Sequence, residues 1–289
     1  MNISFHFFLL SICVCIANSY CSTLDVPFVP TPYEVVNAML DIASVGSQDT
    51  LYDLGCGDGR IVITAVSKRG VKKAVGVDMD PQRIEECKKN ATDAGVIKQT
   101  SFIQDDLFNI DFHQATVLTL YLLPEVNLKL RPKIFRTLKA GTRVVSHDFN
   151  MGSWEPDQQI MAGNSTIYLW IVPANVSGSW SWNMPETPNN KITAIFNQQF
   201  QKISAKAYLD NNELPVSGLL LHGSFFSFSL NNPVSSTGES IITTFFGVVS
   251  DNQITGKAQN QNSGSLPWTA RRDPSTIQNI APAENIFRN

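Results

Sequence analysis

The chain has 289 residues, of which 43% are hydrophobic and 16% charged, and its formal net charge is −3. This apolar fraction is enough for a full core and excludes an intrinsically disordered chain. The acidic balance argues against general binding to a phosphate backbone. Beyond the N-terminus no apolar run reaches the length of a membrane span, which excludes a polytopic membrane protein.

The N-terminus carries an apolar stretch from Ile3 to Ala17, the length of the core of a secretory signal peptide. Ala17 and Ser19 are small residues at a spacing that suits cleavage before Tyr20. No Lys or Arg precedes the stretch, which argues against a signal peptide and more strongly against a mitochondrial transit peptide. We predict a signal peptide or short anchor over residues 1–19, and hence an exported, periplasmic, secreted or membrane-anchored protein. A buried apolar helix is the alternative.

The number of cysteines, five in 289 residues, does not indicate a disulfide framework. Cys13 and Cys15 lie inside the apolar stretch, so cleavage would leave Cys21, Cys56 and Cys87. An odd number without a CxxC pair predicts neither a zinc site nor a complete set of disulfides. We therefore expect no metal.

Up to about residue 150, short apolar runs alternate with amphipathic segments, which is typical of a parallel sheet covered by helices on both faces. Strands are predicted at Thr50 to Leu54, Lys73 to Asp78, Ser101 to Gln104, Ala115 to Leu120 and Arg143 to Ser146. Helices are predicted at Tyr33 to Ser44, Arg60 to Arg69, Pro81 to Ala94 and Asn127 to Leu138. We expect Asp80 to cap the third helix and Pro81 to occupy its first position.

After residue 150 the helical pattern disappears, and short strands punctuated by Asn, Asp and Gly replace it. Strands are predicted at Thr166 to Val172, Lys191 to Phe196, Phe200 to Leu209, Leu219 to Leu230, Ile241 to Val249 and Ile254 to Ala258. The first one or two complete the first sheet, and the rest form an antiparallel meander. Its aromatic residues, among them Trp182, Phe228 and Trp268, are favoured as core residues over the lining of a pocket.

The strongest indication of a functional site is the segment DLGCGDGR at residues 53–60, which follows a predicted strand and begins a predicted helix. Glycines let the backbone turn sharply and approach a ligand closely, and the helix N-terminus offers free N–H groups to a carboxylate. Asp78 ends the next strand about twenty residues on, where an acidic side chain can accept both hydroxyls of a ribose. Asp106 follows the third strand, where an acid can meet the amino group of an adenine.

Alternative interpretations remain open for these residues. The glycines suit a dinucleotide-binding turn, although their spacing differs from GxGxxG. Asp53 can serve only to cap the loop, and Asp105 and Asp106 can be turn residues. Glu34 either stabilises the start of its helix by its charge or reaches a cofactor bound at the loop.

The combination of these motifs resembles the class I S-adenosylmethionine-dependent methyltransferases over residues 25 to 155. The resemblance implies a Rossmann-like fold and S-adenosyl-L-methionine as cofactor, bound by Asp53, Gly55, Gly57, Asp78 and Asp106. More narrowly, PFVPTPYEVVNAML and RVVSHDFNMGSW resemble a branch that includes mitochondrial protein-lysine methyltransferases and bacterial relatives. This narrower resemblance implies a protein lysine as methyl acceptor.

The fourth predicted strand ends in Tyr121-Leu122-Leu123-Pro124, where this fold places the acceptor. The segment lacks the Asn/Asp-Pro-Pro-Tyr/Phe sequence of nucleic-acid amino-methyltransferases, so we expect no nucleic-acid partner. Tyr121 is the candidate catalytic residue, able to orient an amine or contact the methyl donor, and a core position is the alternative. His147 and Asp148 suit either acid–base work or a capped strand end.

We therefore predict an α/β fold with a Rossmann-like class I methyltransferase domain over residues 25–180. A small antiparallel β-domain, either a sandwich or a lipocalin-like open barrel, follows over 181–275, with a tail over 276–289. The expected function is methyl transfer to a protein lysine. The alternatives are methylation of a small molecule and an exported binding protein with a vestigial cofactor site. We expect membrane association only through residues 1–19.

Overall fold

The computed structural model describes residues 28–187, 189–233 and 240–282. The predicted signal peptide or anchor over residues 1–19 lies outside this range. Among the described helices, none combines the length and the apolar character that crossing a bilayer requires.

The first part of the described chain is a three-layer α/β unit. Its helices are α1 (Tyr33–Ile42), α2 (Arg60–Arg69), α3 (Pro81–Asp93) and α4 (Pro124–Thr137). Its strands are β1 (Thr50–Leu54), β2 (Lys73–Asp78), β3 (Thr100–Gln104), β4 (Val117–Leu120), β5 (Arg143–His147), β6 (Gln158–Ala162) and β7 (Ser165–Ile171). They form a sheet in the order β3-β2-β1-β4-β5-β7-β6, in which β1 to β5 are parallel and β7 runs antiparallel to β5.

Local sequence explains most of these helix and strand ends. The Asp80 carboxylate accepts a hydrogen bond from Gln82 N at 2.8 Å, and Pro81 occupies the first turn of α3, which confirms the predicted cap. Helix α4 begins at Pro124, so the predicted start at Asn127 was wrong by about one turn. Pro suits the first helical position, where its missing N–H has no intrahelical partner to lose.

The second part is a nine-stranded antiparallel sheet, here called the β-domain. Its strands are β8 (Gly178–Asn183), β9 (Lys191–Gln199), β10 (Lys202–Leu209), β11 (Asn212–Leu214), β12 (Val216–His222), β13 (Phe225–Pro233), β14 (Ser240–Ser250), β15 (Gln253–Asn260) and β16 (Gly264–Arg272). The order is β11-β10-β9-β8-β16-β15-β14-β13-β12. The edge strands β11 and β12 are consecutive in the chain and β12 lies against β10, so the sheet nearly closes on itself.

Aromatic side chains fill the interior of the β-domain. Phe228 is 1% exposed and lies 5.2 to 5.9 Å, between ring centroids, from Phe245, Trp182 and Trp268. Phe196 and Phe226 extend the same cluster with edge-to-face contacts. These aromatic residues are therefore core, as the sequence favoured.

Two features of the β-domain differ from the sequence prediction. The predicted strand from Leu219 to Leu230 was wrong, because the chain turns at Gly223, with φ +57°, and separates β12 from β13. The apolar run continues through that turn, so hydrophobicity alone did not reveal it. The predicted domain boundary at 180/181 falls inside β8.

The β-domain packs against the first sheet near the point where the chain enters and leaves it. Phe200 packs with Trp154 and Phe135 of the first unit, and Asn175 Nδ2 donates to Gln278 O at 2.8 Å. The buried Arg131 of α4 donates to the Pro282 carbonyl at 2.8 Å. The segment by which the chain enters the β-domain and the segment by which it leaves therefore lie side by side.

Candidate active site

A cavity opens at the carboxyl ends of β1, β2 and β4, the edge where ligands bind in open α/β sheets. It brings together six of the seven predicted site residues, namely Asp53, Gly55, Gly57, Asp78, Asp106 and Tyr121. The structure does not bring Glu34 into the cavity lining. This residue is exposed on α1 and faces the turn at Gly163, where a Cβ would lie 3.7 Å from its Oε2.

The glycine loop between β1 and α2 has the backbone geometry that its sequence predicts. Gly55, Gly57 and Gly59 have φ values of +80°, +54° and +80°, a region that strains any residue with a Cβ. A Cβ at Gly57 would also lie 2.4 Å from the ring of Phe28. The N–H groups of Gly55 and Cys56 both donate to the Val77 carbonyl, at 2.8 and 3.0 Å, which fixes the loop on the end of β2.

Asp78 links this loop to the start of α3. Its Oδ2 accepts from Gly57 N at 2.9 Å, and its Oδ1 accepts from Asp80 N at 3.0 Å. Each carboxylate oxygen has two lone-pair directions, so both oxygens retain acceptor capacity for ligand hydroxyls. The geometry fits the ribose-binding role that the resemblance implies.

Asp53 is the buried acid at the base of the loop. Its side chain is 2% exposed and accepts a hydrogen bond from Thr119 Oγ1 at 2.7 Å. Burial raises the pKa of Asp53 to about 7, the Thr119 hydrogen bond opposes the rise, and the nearby charges of Asp78 and Asp58 add to it. Near neutral pH a cationic ligand would therefore draw this group into its ionised form.

Asp105 and Asp106 both make turn hydrogen bonds and both line the cavity. Asp106 Oδ1 accepts from Phe108 N at 2.8 Å, while Asp105 Oδ1 accepts from Asp106 N at 2.7 Å. The turn interpretation therefore holds for both residues, and it is compatible with a ligand contact by Asp106.

Tyr121 lines the cavity and is stacked on His147, with ring centroids 3.8 Å apart. His147 is buried, with Nδ1 3.2 Å from Thr31 Oγ1 and Nε2 2.8 Å from Ser165 Oγ. Burial lowers the pKa of His147, although the Asp148 charge opposes this. Burial and the Asp148 charge raise the pKa of Tyr121, so its phenol stays protonated at neutral pH. His147 is therefore a neutral imidazole that packs against the ring of Tyr121.

The segment over residues 28–31 covers the glycine loop, a feature that sequence reasoning missed. Phe28 lies against Gly57, and the Arg83 guanidinium stands 4.7 Å from the centre of its ring. Arg60, paired with Asp58 at 2.5 Å, donates from Nη1 to the Thr31 carbonyl at 2.7 Å. The only signal in the sequence was the PFVPTP segment, which carries no chemistry of its own.

The donor set of this cavity fits S-adenosylmethionine. The loop gives a close backbone approach, Asp78 supplies acceptors for a ribose, and Asp53 offers a carboxylate to a cofactor that carries a sulfonium and an ammonium group. We find no group of three or more potential metal ligands within the described residues.

Comparison with known proteins gives the following relatives. A family model described as the ANTKMT methyltransferase domain matches residues 53–158. A "Protein-lysine N-methyltransferase" from Saccharolobus islandicus is 47% identical over 151 residues, covering 51% of this chain and 94% of the relative. A mouse "Adenine nucleotide translocase lysine N-methyltransferase" is 29% identical over 155 residues and covers 54% of this chain and 66% of the relative.

Among solved structures, an "RNA methyltransferase" from Salinibacter ruber in complex with S-adenosyl-L-homocysteine is 52% identical. The match covers 50% of this chain and 93% of that one, with a TM-score of 0.49. The two curated relatives likewise cover about half of this chain.

Proposed function

This chain belongs to the class I S-adenosylmethionine-dependent methyltransferases, in the family of the protein-lysine N-methyltransferases, and on that premise we propose that it methylates a lysine side chain of a protein. The 47% identity to a protein-lysine N-methyltransferase, over nearly the whole of that relative, carries this proposal. The alternative of a non-enzymatic binding protein is disfavoured, because six predicted site residues line one cavity. Methylation of a small molecule is the enzymatic alternative.

S-adenosylmethionine supplies a methyl group that its sulfonium activates for in-line displacement. The chain's own residues hold and orient this cofactor: the glycine loop through its backbone, Asp78 and Asp106 through their carboxylates, and Asp53 through its charge. Phe28 lies against Gly57 and lines the same cavity. These groups bind and position, and the acceptor must supply the electron pair.

The charge of the cavity wall favours a cationic acceptor over a polyanion. In the described structure the lining carries six carboxyl groups and two guanidiniums, Arg60 and Arg83. Arg60 pairs with the lining residue Asp58 at 2.5 Å, and Arg83 lies 3.9 Å from the lining residue Asp80 and pairs with Glu86 at 2.5 Å. The two cations therefore offset only part of the acidic lining, which stays net negative. An RNA phosphate backbone would meet net repulsion here, whereas a lysine ammonium would be attracted.

The apolar part of the cavity lining suits the loss of a proton from that ammonium. Leu122, Leu123 and Phe149 give the lining beside Tyr121 an apolar character. A lysine drawn into apolar surroundings has a lowered pKa, and the neutral amine has the lone pair that methyl transfer needs. The protonated Tyr121 phenol can accept a hydrogen bond from the amine through its oxygen and so orient it.

The experiment is methylation of a cell extract by the full-length protein with S-adenosylmethionine labelled in its methyl group. We expect the label in protein and, after acid hydrolysis, in methylated lysine. Tyr121→Phe should lower the rate about tenfold through loss of one orienting hydrogen bond, whereas the control Tyr168→Phe, in β7 away from the cavity lining, should not. Label in nuclease-sensitive or small-molecule fractions would contradict the lysine proposal.

We also propose that residues 1–19 act as a signal peptide or anchor, supported by the apolar stretch from Ile3 to Ala17. Sequencing of the mature N-terminus from the native host should give Tyr20 as the first residue for a cleaved peptide. An anchor would retain residue 1 and fractionate with membranes. A soluble, uncleaved protein would contradict both.

A further inference from the structure

Two thiols lie together beneath the cofactor loop. Cys56, within the glycine loop, and Cys87, on α3, have their Sγ atoms 3.8 Å apart. Both are buried free thiols. Cys56 also forms part of the cavity wall. A buried sulfur pair therefore has one member in contact with the space where the cofactor binds.

The surroundings make room for this pair. A Cβ on Gly76 of β2 would lie 2.8 Å from Cys56 Sγ, and a Cβ on Gly59 would lie 3.0 Å from Cys87 Sγ. Each sulfur thus occupies space that a side chain at the neighbouring glycine would take. The Cys87 thiol donates to the Gly57 carbonyl at 3.1 Å, while Gly57 N donates to Asp78. The conformation of the loop therefore depends directly on the state of Cys87.

We propose that Cys56 and Cys87 are a reversible oxidation site that controls cofactor binding. A disulfide has an S–S distance of about 2.05 Å, so closing it requires the two sulfurs to approach by roughly 1.8 Å. That movement removes the hydrogen bond from Cys87 to Gly57 and pulls the loop toward α3. Asp78 and the loop N–H groups would then lose the arrangement that receives the cofactor.

The oxidant is hydrogen peroxide, which is small enough to enter the cavity. The hydrogen bond with Cys87 and burial raise the pKa of Cys56, so the thiol is the reacting form. Its sulfur attacks one oxygen of hydrogen peroxide, the thiol proton passes to the departing oxygen as the O–O bond breaks, and Cys56 becomes a sulfenic acid as one water leaves. The Cys87 sulfur then attacks the Cys56 sulfur, the S–O bond breaks, and a second water leaves. The two sulfurs together lose two electrons and the peroxide gains them. A dithiol reductant restores both thiols.

Cofactor binding and oxidation must then oppose each other. Because Cys56 lines the cavity, a bound cofactor would cover it, and it would favour the loop conformation of the reduced protein. If the disulfide weakens binding about tenfold, reciprocity requires saturating cofactor to disfavour the disulfide by the same factor, about 30 mV in reduction potential. This inference concerns the cofactor site and does not depend on which acceptor is methylated.

The experiment compares the reduced and the peroxide-treated full-length protein by calorimetric titration with S-adenosylhomocysteine and by peptide mapping of disulfides. We expect a Cys56–Cys87 disulfide, an about tenfold or larger loss of affinity, recovery with a dithiol, and slower disulfide formation when S-adenosylhomocysteine is present from the start. The matched control is the Cys56→Ser/Cys87→Ser double variant, which retains Cys13, Cys15 and Cys21. Its affinity should not change with peroxide.

Three outcomes would overturn the proposal. Peroxide treatment could leave Cys56 and Cys87 as thiols, the disulfide could form without any change in affinity, or the double variant could lose affinity to the same extent as the wild type. Should the double variant fail to fold, isotopic labelling of the thiols at increasing peroxide exposure gives the fraction of wild-type protein with the Cys56–Cys87 disulfide. That fraction should match the fraction that has lost affinity, and a mismatch would overturn the proposal. A reduced wild-type protein that does not bind S-adenosylhomocysteine would instead refute the methyltransferase assignment.

Discussion

The two sheets of this protein differ in how the space beside them is filled. The parallel sheet keeps a cavity at the carboxyl ends of its strands, and within the described structure the residues that line this cavity all fall between positions 28 and 149. The β-domain instead packs its interior with aromatic rings. The cofactor chemistry therefore belongs to the first sheet alone, while the nearly closed β-domain, which fits the predicted open barrel, has an interior filled by side chains.

The largest expected effect on cofactor affinity comes from Gly57→Ala. Its φ of +54° strains an alanine, and the new Cβ would meet the Phe28 ring. We expect the affinity for S-adenosylhomocysteine, measured by calorimetry, to fall about 100-fold. Gly70→Ala is the matched control, because Gly70 also has a positive φ, +71°, but no atom within 4 Å of its Cβ position. An equal loss in the control would contradict the local explanation.

Asp78→Ala should have the next largest effect. It removes the acceptors for the ribose hydroxyls and the hydrogen bond from Gly57 N. We expect a loss of about 1–3 kcal/mol in binding free energy, or roughly 5- to 160-fold in affinity. Asp111→Ala, at an exposed site outside the cavity lining, serves as the control. Unchanged affinity in the Asp78 variant would refute the cofactor assignment.

The protonation of Asp53 should make cofactor binding depend on pH. Because its pKa is about 7 in the free protein, binding of a cationic cofactor requires proton release at lower pH. We expect the affinity for S-adenosylmethionine to fall about tenfold from pH 8 to pH 6. Asp53→Asn should bind more weakly than the wild type at pH 8 and lose this pH dependence. A wild-type affinity that is flat over this range would show that the cofactor does not sense the charge of Asp53.

The same group gives a stability prediction of known sign. The folded pKa of about 7 lies above the ordinary value of 3.8, so the folded state binds the proton more tightly than the unfolded chain. The contribution of Asp53 to the free energy of unfolding is therefore most favourable at low pH. It is lost as pH rises through about 7, by up to about 4 kcal/mol. Denaturant unfolding from pH 5 to pH 8 should show a smaller decline for Asp53→Asn than for the wild type. Identical pH profiles would contradict the raised pKa.

The smallest effect on affinity should follow a change in the β-domain. Phe228→Leu leaves the aromatic cluster underpacked, and we expect a loss of about 1–1.5 kcal/mol in the free energy of unfolding. Because Phe228 does not line the cavity, the affinity for S-adenosylhomocysteine should change less than about twofold. A larger change would show that the two units are energetically coupled.

Local signals determined what the sequence could predict. Helix α2 and strand β2 match their predicted ends, because glycines and charged residues mark both boundaries. The cavity residues Asp53, Gly57 and Asp78 were predicted because their spacing along the chain is itself the motif. Strands β6 and β8 were missed, since both depend on partners that fold against them from elsewhere in the chain.

Contacts between distant segments account for the rest of the site. Phe28 lies over the glycine loop in contact with Arg83 and Gly57, which are distant from it in sequence. Cys87 appeared to be an ordinary helix residue, and only the fold sets its sulfur beside Cys56. No periodicity or spacing in the sequence predicts these contacts, because each depends on how α3 packs beneath the loop.

The chain enters the β-domain and leaves it at neighbouring points, marked by the hydrogen bond from Asn175 to the Gln278 carbonyl. A domain joined at two neighbouring points can be gained, lost or exchanged as a unit without altering the strand order of the sheet to which it is attached. A chimaera that joins Ala174 to Asn279 through a short linker would bring together ends that are already adjacent. The catalytic unit and its attached β-domain can thus follow separate evolutionary histories within one polypeptide.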